Sequence, residues 1–216
     1  MFVRTFNFSS WICLSMFCVA DAEMNDSKKI VAIQGSFRKN GKTTQMLKYA
    51  VKKAQKSGHK VTYINLFEKN IEYCKGCRLC TESEECIFKN DDMPEITKLI
   101  KEADVIILAA PVYWGNVPAI VKNLMDRLVG ASMLETATFP KPRLEGKRYI
   151  LLTACNTRMP FAKLFGQSSG ISRVVKEYFK TSGVKKIGMV VCDNSNNRDT
   201  VPQKNFKKIE KLIKKI

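Results

Sequence analysis

Residues 35–44 read "GSFRKNGKTT", directly after the apolar run "KKIVAIQ" at 28–34 and directly before the helical stretch "TQMLKYAVKKAQKSG" at 44–58. The segment almost spells the phosphate loop of nucleoside triphosphatases. That loop requires four residues between its first Gly and its Gly-Lys-Thr, because the backbone closes one tight cradle around a chain of phosphates. Here Gly35 and Gly41 are separated by five. A magnesium-dependent site would also need a carboxylate at the end of a neighbouring strand. The strongest later strand, "DVIILAAP" at 104–111, begins with Asp104 and ends in Pro111. The segment therefore predicts a different strand-to-helix turn, in which unpaired helix amides and Ser36, Arg38, Lys42, Thr43 and Thr44 hold a monophosphate. A solvated basic turn capped by Thr43 is the plain alternative.

Outward from this turn the chain alternates. Strands are predicted at 29–34 "KIVAIQ", 59–66 "HKVTYINL", 104–111, 147–154 "KRYILLTA" and 185–192 "KKIGMVVC". Amphipathic helices are predicted at 43–57, 91–102, 117–128, 171–181 and 203–216. Five strands, each followed by a helix, imply α/β architecture with a five-stranded parallel sheet covered on both faces. Ligands of such sheets bind beyond the carboxyl ends of the strands, where the strand order reverses, and in the flavodoxin-like order 2-1-3-4-5 that point holds FMN. The loop after the third strand, "PVYWGN", supplies Pro111, Val112, Tyr113, Trp114, Gly115 and Asn116. Its aromatics suit the face of a flat ring system, and its backbone N–H groups suit the ring's polar edge. The loop "TACNTRMPF" at 153–161 would close a third side.

The stretch "YCKGCRLCTESEEC" at 73–86 spaces Cys74, Cys77, Cys80 and Cys86 by two, two and five residues. Compact runs of this kind hold iron-sulfur clusters through four thiolates, with Gly76 easing the turn. Zinc accepts the same four ligands, and an empty loop of free thiols fits the spacing too. Two disulfides become an option only in an oxidising compartment. Cys155 and Cys192, near strand ends, are expected to be buried inert thiols. The single histidine, His59, starts a strand and is assigned no catalytic role.

Together, Gly35-Ser36-x-Arg38-x-Asn40-Gly41-x-Thr43, "PVYWGN" and "KNLMDR" at 122–127 resemble the NADPH-dependent FMN reductase family, and with the cysteine run its iron-sulfur flavoprotein branch. The resemblance spans residues 28–192. It implies a flavodoxin-like three-layer sandwich, FMN phosphate held by Ser36, Arg38, Asn40, Lys42, Thr43 and Thr44, and the ring held at 111–116. It also implies NAD(P)H or ferredoxin as electron donor, a small-molecule acceptor, one 4Fe-4S cluster on the four cysteines if it is present, and a homodimer or homotetramer. The family's usual Pro after the first Ser is Phe37 here. No catalytic acid-base residue is assigned, because the cofactor would carry the chemistry.

The bulk numbers frame these readings. At 216 residues and 45% hydrophobic, the chain suits one ordinary globular domain. Net charge is +17, from 37 Lys and Arg against 20 Asp and Glu, spread along helices without a recognised nucleic-acid motif. A polyanion-binding module on this fold rests on that charge alone. A flavodoxin-like electron carrier without small-substrate turnover would call for an acidic docking surface, which a basic chain does not offer. Residues 1–23 form a leader distinct from the 24–216 domain: signal-like, transit-like, or an extension upstream of a start at Met24. The cysteine chemistry favours a cytoplasmic location over a secreted or organellar one, and no later run is long enough to span a membrane.

Overall fold

The computed structural model describes residues 27–216, so the leader and the Met24 boundary lie outside the described residues. The main sheet is parallel and contains β1 (Lys29–Gln34), β2 (Lys60–Asn65), β3 (Val105–Ala109), β6 (Arg148–Ala154) and β7 (Lys185–Cys192), in the order β2-β1-β3-β6-β7. Counting only these strands, that is the expected 2-1-3-4-5. All five residues of β3 are buried, whereas the edge strands β2 and β7 bury only one and two residues, Ile64 in the first and Val190 and Cys192 in the second. A central parallel strand is covered on both faces and can be continuously apolar; an edge strand is not.

The period of two along each strand sorts the core into two layers. Val31, Ile33, Ile106, Leu108, Tyr149 and Leu151 pack with Met93, Ile96 and Ile100 of α3 (Met93–Glu102), with Val121 and Leu124 of α4 (Ala119–Arg127), and with Ile171, Val175 and Phe179 of α7 (Gln167–Thr181). Ile30, Ala32, Ile107, Ile150 and Leu152 face the opposite way. They meet Met46, Leu47 and Ala50 of α1 (Lys42–Lys56) and Ile209 and Leu212 of α8 (Gln203–Ile213). The register aligns Gln34 with Ala109 and Ala109 with Leu152, so β1 and β3 finish level and β6 runs two residues further, to Ala154. The loops that leave them share one rim.

Short elements fill the connections: α2 (Cys80–Ser83), α5 (Val129–Ser132), a two-stranded antiparallel ribbon of β4 (Met133–Leu134) and β5 (Lys141–Pro142), and α6 (Phe161–Leu164). None was expected, because two- to four-residue elements carry no periodic pattern. Helix α7 starts at Gln167, four residues before the periodicity suggests; Ser168 and Gly170 lack the apolar signal. Among the described residues no helix is long and apolar enough to cross a membrane.

Candidate functional site

At the rim lies a cavity of about 510 Å³. One wall is the predicted turn, through Ser36, Arg38, Asn40, Gly41, Lys42 and Thr43. Gly35 anchors it by donating its amide to the Ala109 carbonyl at 2.8 Å. A Cβ on Gly35 would stand 2.2 Å from Val121 Cγ2, so the close approach of this loop to α4 excludes any side chain there. Three of the loop's carbonyls are engaged. Gln34 Nε2 donates to the Ser36 carbonyl at 2.8 Å, Thr44 Oγ1 to that of Arg38 at 2.9 Å, and Gln45 Nε2 to that of Asn40 at 2.8 Å. Helix α1 begins at Gly41 without a side-chain cap and without an acidic residue in its first turn. With those acceptors occupied and first-turn amides free, the loop presents donors and a positive helix end, which suits an anion.

Two predicted residues stand differently from expectation. Thr44 is fully buried and holds the loop from behind instead of lining the cavity. Lys42 lines the cavity, but its ammonium donates to the Asp199 carbonyl at 2.6 Å, tying the loop to the segment after β7. That segment contributes Ser195 and Asn196 to the wall, and Cys155 and Asn156 come from the loop after β6. Ser195 and Asn196 escaped the sequence reading, although the rule that ligands gather beyond strand carboxyl ends applies to β7 as well. Among the described residues no carboxylate lines this cavity. Cys155 is buried, as expected, and burial pushes its thiol up to about 11, with Asp193 and Cys192 adding to the shift, so it is neutral near pH 7. His59 is also buried, and burial with nearby Lys28 holds its imidazole below the ordinary value.

Pro111, Val112 and Tyr113 form the opposite wall. Tyr113 and Asn116 exchange backbone hydrogen bonds of 3.0 and 2.9 Å around Trp114 and Gly115. Both central residues are left-handed, at φ +53° and +71°, the geometry of a tight two-residue turn. Trp114 is held in a conformation that costs a bulky residue about 1–2 kcal/mol. The turn throws its indole fully into solvent. Trp114 and Gly115 therefore line a second, adjoining cavity, and the Asn116 side chain accepts from the Val117 amide at 2.7 Å instead of entering either cavity.

The cysteine segment is built by other means. Gly76, Arg78 and Glu84 all have left-handed φ, so the backbone coils tightly. From α4, Asn123 accepts the Cys74 amide at 3.2 Å and donates to the Ile71 and Glu72 carbonyls, both at 3.3 Å. One turn later Arg127 donates to the Glu72 carbonyl at 2.6 Å, the Phe88 carbonyl at 2.9 Å and Asp91 at 2.6 Å. The Arg127–Asp91 pair is 0% and 1% exposed. Burial works against the Asp91 carboxylate, but hydrogen bonds from Arg127 and from the Met93 and Glu72 amides outweigh it and hold Asp91 below its usual range. Arg143 ties the Thr81 and Gly130 carbonyls together at 3.1 and 2.7 Å. A Cβ on Gly130 would fall 2.1 Å from the Cys80 carbonyl, so α5 accepts the loop only at glycine.

Asn123, Arg127, Asp91 and Arg143 were missed as supports. The signal for Asn123 and Arg127 was present in "KNLMDR", where Asn and Arg four apart occupy one face beside apolar neighbours. The four thiols are free. Burial raises the Cys80 thiol, a backbone hydrogen bond from Gly130 opposes this, and Cys86 and Cys74 lie near enough to add to it. Cys86 also stands beside Arg127. Among the described residues no three Cys, His, Asp or Glu side chains are gathered closely enough to hold one metal ion.

A parallel sheet with a donor-rich turn after its first strand and a cavity where the strand order reverses defines a flavodoxin-like protein. Residues 28–158 match the NADPH-dependent FMN reductase family, and the chain belongs to it. An iron-sulfur flavoprotein of Archaeoglobus fulgidus is 43% identical over 101 residues, covering 47% of this chain and 46% of its own. Another, of Clostridioides difficile, is 30% identical over 188 residues, covering 86% and 76%. The chain spans about half the length of the first curated relatives it matches. Among solved structures, an NAD(P)H:quinone oxidoreductase from Methanothermobacter marburgensis shares the fold with a TM-score of 0.70 at 17% identity, over 87% of this chain and 98% of that one. An FMN-dependent NADH-azoreductase from Bacillus anthracis, solved with FMN, gives 0.69 at 15% identity, over 88% and 98%.

Proposed function

We propose that the chain is an FMN-dependent oxidoreductase that passes electrons from a reduced donor, NAD(P)H or ferredoxin, to a small-molecule acceptor. The observation that carries this reading is the 36–43 wall, whose Ser36, Arg38 and Asn40 carbonyls are already hydrogen-bonded and which lines a cavity with no carboxylate among the described residues. Ser36, Arg38, Asn40 and Thr43 would hold the FMN phosphate there. Pro111, Val112 and Tyr113 would flank the ring. When bound, the flavin supplies hydride acceptance and one-electron release. The chain's own residues bind and orient it, and the neutral Cys155 thiol adds no charge beside it.

The four cysteines are a suitable donor set for one 4Fe-4S cluster. Ligands on different irons stand farther apart than ligands on one ion, so the spread of these thiols is compatible with a cluster. The names of the relatives support the same reading, and Asn123, Arg127 and Arg143 would fix the loop for it. Exposed Trp114, Phe161, Leu164 and Phe165 favour assembly as a homodimer or homotetramer.

The test is anaerobic purification followed by an absorption spectrum and by flavin, iron, sulfide and zinc analysis. One FMN with four irons and four sulfides per chain is expected. Flavin without iron would reduce the reading to a plain FMN reductase, and absence of both after reconstitution would overturn it.

A further inference from the structure

We infer that Arg127 donates a hydrogen bond from Nε to the Cys86 sulfur once that sulfur ligates iron, and that this contact raises the reduction potential of the cluster held there. This rests on the four-cysteine cluster reading above and goes beyond it: Arg127 tunes the bound group as well as fixing the loop that holds it.

A guanidinium carries five N–H donors in one plane and no acceptor. On Arg127 four of them are engaged. Nη1 donates to the Glu72 carbonyl and to Asp91 Oδ2, both at 2.6 Å, and Nη2 donates to the Phe88 carbonyl at 2.9 Å and to Asp91 Oδ1 at 3.3 Å. The fifth, on Nε, is buried and has no partner. Among the described residues the other buried side-chain atoms in that state are two oxygens, Thr153 Oγ1 and Asn205 Oδ1, so Nε is the one nitrogen and the one atom of a charged group. Buried donors are nearly always paired, because an unpaired one keeps the full cost of leaving water. An orphan at this place calls for an acceptor that binding supplies.

Glu72 lies two residues before Cys74 and Phe88 two residues after Cys86, so the guanidinium grips both ends of the segment that bears the four thiols. The Cys86 side chain stands beside it. A protonated thiol is a weak acceptor and leaves Nε without a partner. A thiolate bound to iron is a charged acceptor, and a charge-assisted bond from Nε satisfies both groups. Cys80 is served by other means, through the backbone amide of Gly130. Asp91 offsets the Arg127 charge but engages only the Nη nitrogens, which leaves the directional Nε–H for sulfur. Hydrogen bonds to ligating sulfurs set cluster potentials, and a donor stabilises the extra negative charge of the reduced state.

The experiment uses the full chain, produced with arginine carrying nitrogen-15 in its guanidinium and reconstituted anaerobically with FMN, iron and sulfide. Pulsed electron paramagnetic resonance of the reduced cluster should show a nitrogen-15 coupling. The coupling should vanish in Arg127→Lys, which keeps a positive charge toward Asp91 but has no guanidinium. It should persist in Arg78→Lys and Arg143→Lys, the other arginines that bind at this loop, and those two variants carry the test if Arg127→Lys fails to fold or to load iron. In Arg127→Lys the ratio of reduced to oxidised cluster at a fixed potential should fall about tenfold, a shift of about 59 mV for one electron, as loss of a charge-assisted hydrogen bond implies. The flavin midpoint potential, read on the same sample, should not move. A cluster without the coupling, a coupling lost with Arg78 or Arg143, or an unchanged cluster potential in Arg127→Lys would overturn the role of Arg127 and leave the cluster reading standing. A chain that holds no iron after reconstitution would defeat the cluster reading itself, and this inference with it.

Discussion

The turn at 35–44 and the loop at 71–91 are both irregular, both emerge on the same side of the sheet, and are held by opposite means. The first is supported mainly from within: Gln34, Thr44 and Gln45 bind the carbonyls of Ser36, Arg38 and Asn40 a few residues away. The second is supported from a distance. Asn123 and Arg127 reach it across roughly fifty residues of sequence, and Asp91 closes it from the amino end of α3. A locally braced loop carries its instructions in its own letters. A loop braced from afar depends on a scaffold helix, so its weakest points lie outside it.

That contrast is most exposed at Arg127. Arg127→Ala leaves Asp91 buried and unpaired, which should cost about 3–5 kcal/mol in urea unfolding. FMN affinity should change less than the stability does. A loss below about 1 kcal/mol would mean that the cysteine loop does not depend on α4. The complementary experiment, Arg38→Ala with Thr43→Ala, should weaken FMN by about 2–3 kcal/mol while leaving stability within about 1 kcal/mol, because charge-assisted phosphate contacts are lost and no core is opened. Equal losses of stability and affinity would remove the distinction between the two loops.

Asn123→Ala removes one acceptor and two donors from the cysteine loop and should cost about 1–2 kcal/mol. It should also speed alkylation of the exposed Cys74 relative to the buried Cys155, whose thiol is pushed up to about 11. The smallest effect is with pH. Asp91 is held below its usual range in the folded protein, so its contribution is complete above the unfolded value of about 3.9 and is lost as pH falls through the folded value. Between about pH 4 and pH 2 the urea midpoint of the parent should fall more steeply than that of Asp91→Asn. Parallel slopes would show that another carboxylate dominates acid unfolding.

Much of the candidate site was legible because its requirements are local. The donor-rich turn needs glycine at a close approach, small polar residues around it and a helix immediately after, and all of these are consecutive. The four-cysteine run was equally visible as a spacing. The direction of Trp114 was not, since it follows from two successive left-handed residues whose strain the neighbouring α7 helps to hold in place. The same holds for Thr44: a hydroxyl beside a phosphate loop reads as a ligand until the Arg38 carbonyl is found within its reach.

The sequence by itself determined the order of strands and helices, the parallel sheet, the donor-rich turn after the first strand and the four-thiol run. Each depends on periodicity or spacing within a few residues, where backbone sterics and local burial decide the outcome. Only the tertiary structure decided that Ser195 and Asn196 complete the first cavity, that Trp114 and Gly115 line the second, and that Arg127, Asp91 and Gly130 carry the cysteine loop. Those relations join residues from separate elements. They arise when neighbouring strand ends bring distant loops onto one rim and when close packing leaves space for a single shape of side chain, or for none.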